Sequence, residues 1–165
     1  AKRPNGELTA QEFPAVPERC TKARGFIKAD HREVALDEAD AVVAGGLGFS
    51  DKQDFEMLWG LADALSAAVG GSKPAFDNRW IPQRRFIGQS SGRKVAPRLF
   101  VAVGVSGTNY FMGGMKGAQT LVAINKDKGA PIMKAADLAV VGDLHEIIPA
   151  LEEVLGRTKN SGGAA

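Results

Sequence analysis

Cysteine and histidine are scarce in this chain, and their scarcity excludes several kinds of site. Cys20 is the only cysteine among 165 residues, so the chain holds no disulfide framework and no cysteine-based zinc motif. A single cysteine also fits a reducing compartment. The only histidines, His31 and His145, lie far apart in sequence. We therefore predict no metal site.

Long apolar runs and a strong charge of one sign are also missing. No apolar run approaches the roughly 18–20 residues of a membrane span, so we expect none. The formal net charge is +2, which is too small to indicate nucleic acid as a partner. Arginines and lysines do cluster between residues 79 and 98. That cluster fits either a solvated face or a site for an anionic ligand.

The composition is that of one globular domain, with 24% charged and 44% hydrophobic residues. Residues 1–22 are rich in Pro, Glu, Lys and Arg, and we interpret them as an extended arm or linker. Residues 157–165 end in Ser-Gly-Gly-Ala-Ala and are predicted to form a disordered tail. The domain itself is expected over residues 23–156.

Short apolar runs that end in small or polar turns dominate the middle of the chain. Near-continuous runs of this kind are typical of buried parallel strands. The predicted strands are Asp40–Ala44, Leu99–Val105, Thr120–Ile124 and Leu138–Val141, with an edge strand at Phe26–Val34 and a short strand at Phe86–Gly88.

Helical patterns separate these strands. Ser50 and Gln53 have the spacing of a capping box, which predicts a helix from Ser50. One apolar face then follows at helical spacing, made by Phe55, Leu58, Trp59, Ala62, Leu65 and Val69. Because Pro149 would break a helix begun at Asp143, we predict a last helix from Pro149 to about Leu155. The alternation predicts an α/β domain with a mainly parallel sheet.

Two glycine turns follow predicted strands, at Gly45–Gly48 and at Gly104–Gly107. Glycine lets a backbone approach a phosphate closely, and ligands of open α/β sheets lie at the carboxyl ends of the strands. Taken alone, each glycine turn is equally explained as a tight reversal of the chain that has no role in ligand binding. Two of them in one sheet favour a nucleotide site, with phosphates near Ser106 and Gly107.

Polar side chains at other strand ends fit the rest of a nucleotide. Asn125, Asp127 and Asp143 follow predicted strands and are candidates for a nucleoside, although turn formation and helix capping explain Asp127 and Asp143 as well. The loop from Gln89 to Lys94 offers an amide, hydroxyls and cations to an anionic or heteroaromatic ligand. No serine has a histidine base nearby in sequence, so no hydrolytic site is predicted.

Several motifs in one order resemble a known family from about Leu36 to Leu155. They are AVVAGGLG, LADALSAAVGGSK, the Asp77–Pro82 segment, IGQSSGRKVAPRLFVAVGVSG, GGM, VAINKDKGAPI and ADLAVVGDL. This pattern resembles the flavin-binding C-terminal domain of the electron transfer flavoprotein α subunit. The resemblance implies a three-layer Rossmann-like domain, a deoxyhypusine-synthase-like NAD/FAD-binding fold.

The resemblance also implies a function. Such a domain binds FAD in a groove completed by a β subunit. It passes single electrons from flavin dehydrogenases, such as acyl-CoA dehydrogenases, to a membrane quinone reductase or another acceptor. The chain would then be an electron carrier and not a catalyst, in the bacterial cytoplasm or the mitochondrial matrix. The family's large N-terminal domain is missing here, so we expect a fragment or a separately encoded piece.

Cofactor-binding residues are carried over on matching positions. Ser72 and Lys73 match the family's Ser-Arg pair near the flavin, and Gln89, Ser90, Ser91 and Gly92 match its Gln-Thr-Gly loop with one extra residue. Gly104, Ser106 and Gly107 match the pyrophosphate turn, and Asn125, Asp127 and Asp143 match or adjoin the adenosine positions.

Three positions depart from the family's pattern. Leu47 and Lys73 stand where the family has arginine, and Phe111 stands where it has histidine. These changes remove hydrogen-bond donors that would support a reduced flavin. The ammonium of a lysine does not replace the several N–H donors of an arginine guanidinium, and a phenylalanine ring has no hydrogen-bond donor. The alternatives are therefore a related domain that binds another adenine nucleotide (AMP, CoA or NAD) or a structural subunit.

Overall fold

The computed structural model describes residues 30–92 and 94–161, and the side chains of residues 159–161 are not considered. Its strands are β1 (Ala41–Gly45), β2 (Ala68–Gly71), β3 (Leu99–Val103), β4 (Thr120–Asn125) and β5 (Leu138–Val141). Its helices are α1 (Lys52–Phe55), α2 (Met57–Leu65), α3 (Lys73–Asp77), α4 (Asn109–Gly114), α5 (Pro131–Ala135) and α6 (Leu144–Ser161), and a 3-10 turn spans Gln83–Arg85.

The five strands form one sheet in the order β2-β1-β3-β4-β5, and all pairs are parallel. Alternate residues of each strand point to opposite faces. Val42 and Phe100 belong to one buried cluster, whereas Val43 and Val101 belong to the other. Both faces of the sheet are therefore covered, which confirms the predicted three-layer Rossmann-like α/β fold.

Burial separates the inner strands from β5. The described strands β1, β2 and β3 are buried almost throughout, as the continuous apolar runs predict for β1 and β3, whereas β2 was not among the predicted strands. β5 was expected to be buried as well, and this prediction is wrong. Leu138 and Val141 are 57% and 59% exposed, because β5 is the edge strand and pairs only with β4.

Two shorter strand predictions also fail. Residues 26–29 of the predicted first strand lie outside the described residues, and residues 31–34 form a turn. Asp30 causes this turn, since its carboxylate accepts a hydrogen bond from the amide of Arg32 at 2.9 Å. Phe86–Gly88 makes only a single bridge, between Phe86 and Gly71, before the backbone turns away.

The first helical segment begins one residue later than predicted and is interrupted. Asp51, not Ser50, is the N-cap, and its carboxylate accepts from the amide of Asp54 at 2.8 Å. The carboxylate of Asp54 reaches back to the amide of Ser50 at 2.8 Å. Glu56 separates α1 from α2, and Ser66 ends α2 in a left-handed conformation, so Val69 lies in β2.

The last helix begins before Pro149 and not at it. Asp143 caps α6 by accepting from the amide of His145 at 2.9 Å, and Pro149 lies inside the helix. The proline removes one backbone bond, but Ile148 is fully buried and anchors the helix on the sheet. α6 continues to Ser161, whereas the sequence predicts a tail from Arg157. Residues 1–22 and 162–165 lie outside the described residues.

A buried arginine ties the segment before β1 to the sheet. Arg85 is 5% exposed, and its guanidinium donates to the carbonyls of Val69 (3.3 Å), Val34 (3.4 Å) and Arg32. The guanidinium also lies over the Trp59 ring, 5.6 Å from its centroid. Burial lowers the pKa of Arg85, with a further contribution from the neighbouring Arg84.

We expect Arg85→Met to lower the free energy of unfolding by about 1–3 kcal/mol, because three carbonyls lose a charged donor. Urea unfolding of both proteins measures the difference. Arg84→Met, at an exposed neighbouring position, is the matched control. Equal losses for the two variants would show that the buried guanidinium makes no special contribution.

Candidate nucleotide site

A cleft opens where the strand order reverses between β1 and β3. The segments that leave these two strands turn to opposite sides of the sheet, and ligands of open α/β sheets lie in the crevice between them. The glycine turn Gly46–Gly48 forms one wall, and Gly104–Ser106 forms part of the other. The cleft therefore lies where the sequence predicts a nucleotide.

The two glycine turns are packed directly on each other. The amide of Gly48 donates to the carbonyl of Gly104 at 2.8 Å, and the amide of Gly46 donates to the carbonyl of Val103 at 3.3 Å. A Cβ on Gly48 would lie 2.4 Å from the Gly104 Cα, and Gly104 itself has φ +60°. These glycines are required by the close approach of the two backbones.

The cleft has a volume of about 310 Å³. Among the predicted cofactor-binding residues, it is lined by Ser72, Lys73, Gly104, Ser106, Asn125 and Asp127. Thr108, Tyr110 and Lys126 also line it and were not predicted. Thr108 and Tyr110 lie outside the quoted motifs, and Lys126 lies in one of them but was given no role. Gly107 adjoins the cleft with φ +78° and packs against Ile132.

Ser72 is the most unusual polar residue of the cleft. It follows β2, is 6% exposed, and its backbone amide donates to the carbonyl of Gly45 at 2.9 Å. Its Oγ is buried and has no hydrogen-bond partner among the described residues. A buried hydroxyl without a partner is costly, so its position at the cleft points to a ligand that supplies one.

Lys73, in contrast, is already engaged. Its ammonium pairs with Asp77 one helical turn later and lies 5.8 Å from the centroid of the Phe76 ring. The side chain is 48% exposed, so this pair contributes little to stability. At the rim of the cleft, Lys73 therefore presents a positive charge that is already paired with Asp77.

Asn125 and Asp127 organise the loop after β4. The Asn125 Nδ2 donates to the carbonyl of Val105 at 2.8 Å, and its Oδ1 accepts from the amide of Asp127 at 3.0 Å. Asp127 in turn accepts from the amide of Gly129 at 2.8 Å. Both side chains line the cleft, but their described bonds hold the loops after β3 and β4 together.

Asp143 lies in a smaller hollow beside the cleft, which shares Gly48, Gly104 and Asn125 with it. His145 lines the same hollow and was not predicted. Its Nδ1 lies 2.7 Å from Asp143 Oδ1, and its Nε2 lies 2.7 Å from Asp54 Oδ1. These two hydrogen bonds raise the pKa of His145, and the His145 amide is the main reason that the pKa of Asp143 is lowered.

We expect the His145 bridge to stabilise the fold at low pH. A histidine whose pKa is raised from 6.5 contributes stability that is complete below that value and is lost as pH rises through the folded pKa. The carboxylates of Asp54 and Asp143 face the imidazole ring of His145. The positive charge of Lys126 helps to lower the pKa of Asp143. The difference in melting temperature between the wild type and His145→Gln should therefore be largest near pH 5, begin to shrink at about pH 6.5, and vanish only above the raised pKa of His145. A difference that is independent of pH would contradict this.

The loop of residues 89–92 lies beside the cleft. Ser90 Oγ is hydrogen-bonded to the Tyr110 hydroxyl, which brings it to the edge of the cleft. Gln89 lines a separate cavity with Asn109 and Met112, and a Cβ added to Gly92 would meet no atom within 4 Å beyond its chain neighbours. The Ser91 amide donates to the carbonyl of Gly88 at 3.0 Å. Arg93 lies outside the described residues.

Other kinds of site find no support among residues 30–92 and 94–161. No group of three or more His, Cys, Asp or Glu side chains there is placed to hold a metal ion. Among the same residues, no helix has both the length and the apolar character needed to cross a bilayer.

A parallel five-stranded sheet with glycine turns around a crevice at its reversal point defines a nucleotide-binding α/β domain. The family model "Electron transfer flavoprotein FAD-binding domain" matches residues 35–116. Together with the relatives described next, this match shows that the chain belongs to the electron transfer flavoprotein α-subunit family. The matched domain is the one that binds FAD in that family.

Curated relatives extend the match beyond those residues. "Electron transfer flavoprotein subunit alpha" of Mycobacterium leprae is 43% identical over 150 residues, 90% of this chain and 46% of that protein. The protein of the same name from Paracoccus denitrificans is 47% identical over 116 residues, 70% of this chain and 37% of its own length. "Protein FixB" of Azotobacter vinelandii is 38% identical over 164 residues, 96% of this chain and 45% of that protein. The chain therefore spans less than half the length of these relatives.

Proposed function

We propose that this chain holds FAD in the cleft and works as the flavin-binding part of an electron carrier. The buried Ser72 hydroxyl is the observation that carries the proposal, because it belongs to a residue that lines the crevice and has no partner among the described residues. The family match adds the identity of the cofactor. When bound, FAD would supply the redox chemistry, and the protein would supply position and electrostatics.

The residues around the cleft fit such a ligand. The Gly46–Gly48 and Gly104–Ser106 turns line the cleft where the sequence predicts the pyrophosphate. Ser106 and Thr108 add exposed hydroxyls, and Lys126 adds a positive charge. Ser72 and Tyr110 lie on the β2 side of the cleft and suit the polar edge of a ring.

The partners are proposed from the relatives. Proteins named electron transfer flavoprotein subunit alpha imply a β subunit, and we propose that this chain needs one to complete the groove. Electrons would come from flavin dehydrogenases, such as acyl-CoA dehydrogenases, and pass to a quinone reductase or another acceptor. We propose the bacterial cytoplasm or the mitochondrial matrix as the compartment.

The decisive experiment is an absorbance spectrum of the chain purified after co-expression with a β subunit, followed by chromatography of the ligand released on denaturation. Flavin bands and released FAD would support the proposal. A colourless protein that takes up no added FAD would overturn it. Release of AMP, CoA or NAD instead would show a nucleotide domain that has changed its ligand.

A further inference from the structure

The first turn of α6 reaches both glycine turns of the cleft. Leu144 is 7% exposed, and a Cβ on Gly104 would lie 3.2 Å from its Cδ2, so this side chain packs against the second glycine turn. His145, the next residue, reaches α1, which follows the first glycine turn, because its Nε2 lies 2.7 Å from Asp54 Oδ1. The fully buried Ile148 anchors α6 on the sheet. One anchored helix therefore supports two walls of the cleft.

Asp54 passes this support on to the glycine turn Gly46–Gly48. Its side chain is only 15% exposed, and its other carboxylate oxygen accepts from the amide of Ser50 at 2.8 Å. Phe49, between that turn and Ser50, is 2% exposed and packs edge-on against Phe55 of α1, with ring centroids 5.3 Å apart. The backbone that leaves the first glycine turn is therefore held by α1, and α1 is linked to α6 through the imidazole ring.

The geometry around His145 requires a proton on each ring nitrogen. Nδ1 lies 2.7 Å from Asp143 Oδ1, and Nε2 lies 2.7 Å from Asp54 Oδ1. An ionised carboxylate only accepts hydrogen bonds and a neutral imidazole has a single N–H, so the neutral ring satisfies only one of these two contacts. The side chain of His145 is 46% exposed, so the ring can exchange its proton with solvent. The link between α1 and α6 is therefore complete only in the imidazolium form.

Charged side chains reach the hollow around this ring from three parts of the chain. Asp54 comes from α1, Asp143 caps α6, and Lys126 from the loop after β4 lines the same hollow. The two carboxylates bond the ring directly and favour its protonated form. Gly48 and Gly104 also line the hollow, so the charge of the ring changes directly beside the two glycine turns.

We propose that His145 is a positioning residue for the bound cofactor. Its imidazolium ties Asp54 to Asp143, holds the two glycine turns in the arrangement that receives FAD, and releases α1 when the ring loses its proton. The affinity for FAD therefore falls as pH rises. The inference rests on the proposed function and goes beyond it, because it adds a proton-linked control of cofactor binding by a residue that lines the hollow and not the main cleft.

The dissociation constant for FAD as a function of pH is the first test. Flavin fluorescence titrations of the chain with its β subunit would cover about pH 5.5 to pH 9, which brackets a histidine with a raised pKa. The wild-type dissociation constant should rise about three- to tenfold across this range, the effect of one hydrogen bond. His145→Gln, which has no ring to protonate, should bind as weakly as the wild type does at high pH and should change little with pH.

His31→Gln is the matched control. His31 is the other histidine of the chain, and its Nε2 lies 2.8 Å from Asp63 Oδ1, but it lines neither the cleft nor the hollow. This variant should keep the wild-type pH profile. Asp54→Asn keeps the size of the side chain and removes one negative charge, so the loss of affinity should move to lower pH. A purely structural contact would not move the profile in this way.

The proton on the ring gives a measurement that needs no variant with altered binding. Because coupling between a proton and a ligand is reciprocal, FAD must raise the pKa of His145 if the imidazolium form binds FAD more tightly. The acid dissociation constant of the ring should fall by the same three- to tenfold factor. NMR titration of the histidine C2 protons, with only this chain labelled and His145→Gln used for assignment, measures it with and without FAD.

The outcomes separate the two proposals. No FAD uptake by the wild type at any pH would overturn the proposed function and this inference with it. FAD binding with the same pH profile in the wild type and His145→Gln, or with an unchanged pKa of His145, would overturn the inference alone. Affinity that rises with pH in the wild type and not in His145→Gln would also overturn it, because the neutral ring would then be the form that favours the ligand.

Discussion

Gly104→Ala is expected to lower the free energy of unfolding by about 2–5 kcal/mol. The left-handed backbone at φ +60° costs a residue with a Cβ about 1–2 kcal/mol. The new methyl group would lie 2.7 Å from the Gly48 Cα, and overpacking of this kind costs about 1–3 kcal/mol. The backbone of Gly48 is fixed by its own bond to the Gly104 carbonyl, so it has little room to move.

Guanidinium chloride unfolding of the wild type and the variant measures this loss. Gly156→Ala is the matched control, because no atom lies within 4 Å of its added Cβ and the residue sits inside α6. Alanine there should raise stability by up to about 1 kcal/mol through helix propensity. A loss below about 1 kcal/mol for Gly104→Ala would mean that the two turns separate easily.

Ser72→Ala is expected to have opposite effects on stability and on binding. Without ligand, it removes a buried hydroxyl that has no partner among the described residues, so the free energy of unfolding should rise by about 1–3 kcal/mol. With FAD, the same change removes a donor that faces the cleft, so affinity should fall about tenfold.

Thermal unfolding with and without FAD, together with a binding titration, measures both effects. Ser106→Ala is the matched control for stability, because its hydroxyl is exposed and its removal should leave unfolding of the free protein unchanged. Unfolding of ligand-free Ser72→Ala below the wild-type midpoint would show that the hydroxyl already has a partner in the free state.

Much of the fold could be predicted from local sequence, because buried parallel strands are continuous apolar runs. Ala41–Gly45, Leu99–Val103 and Thr120–Asn125 match the predicted strands closely. The exposure of β5 could not be predicted, since its sequence is as apolar as that of the inner strands and only the strand order makes it an edge. The helical state of Pro149 likewise depends on the packing of Ile148.

The candidate site was predictable at its strand ends and not at its long-range contacts. Glycine turns and polar residues after strands mark Gly104 and Asn125 as cleft residues, whereas Ser72 was predicted only from the family resemblance. The contacts of Tyr110 with Ser90, and of His145 with Asp54, join residues that are distant in sequence. Periodicity and spacing carry no information about such pairs.

The uneven burial of the sheet has a consequence for handling the chain. Along β5, one row of backbone amides and carbonyls has no strand partner among the described residues, and Leu138 and Val141 stand exposed beside it. An exposed, apolar edge strand of this kind is a template for edge-to-edge association. Concentrated preparations of the chain alone should therefore aggregate through β5, and a charged side chain such as Val141→Lys should keep them monodisperse in light scattering.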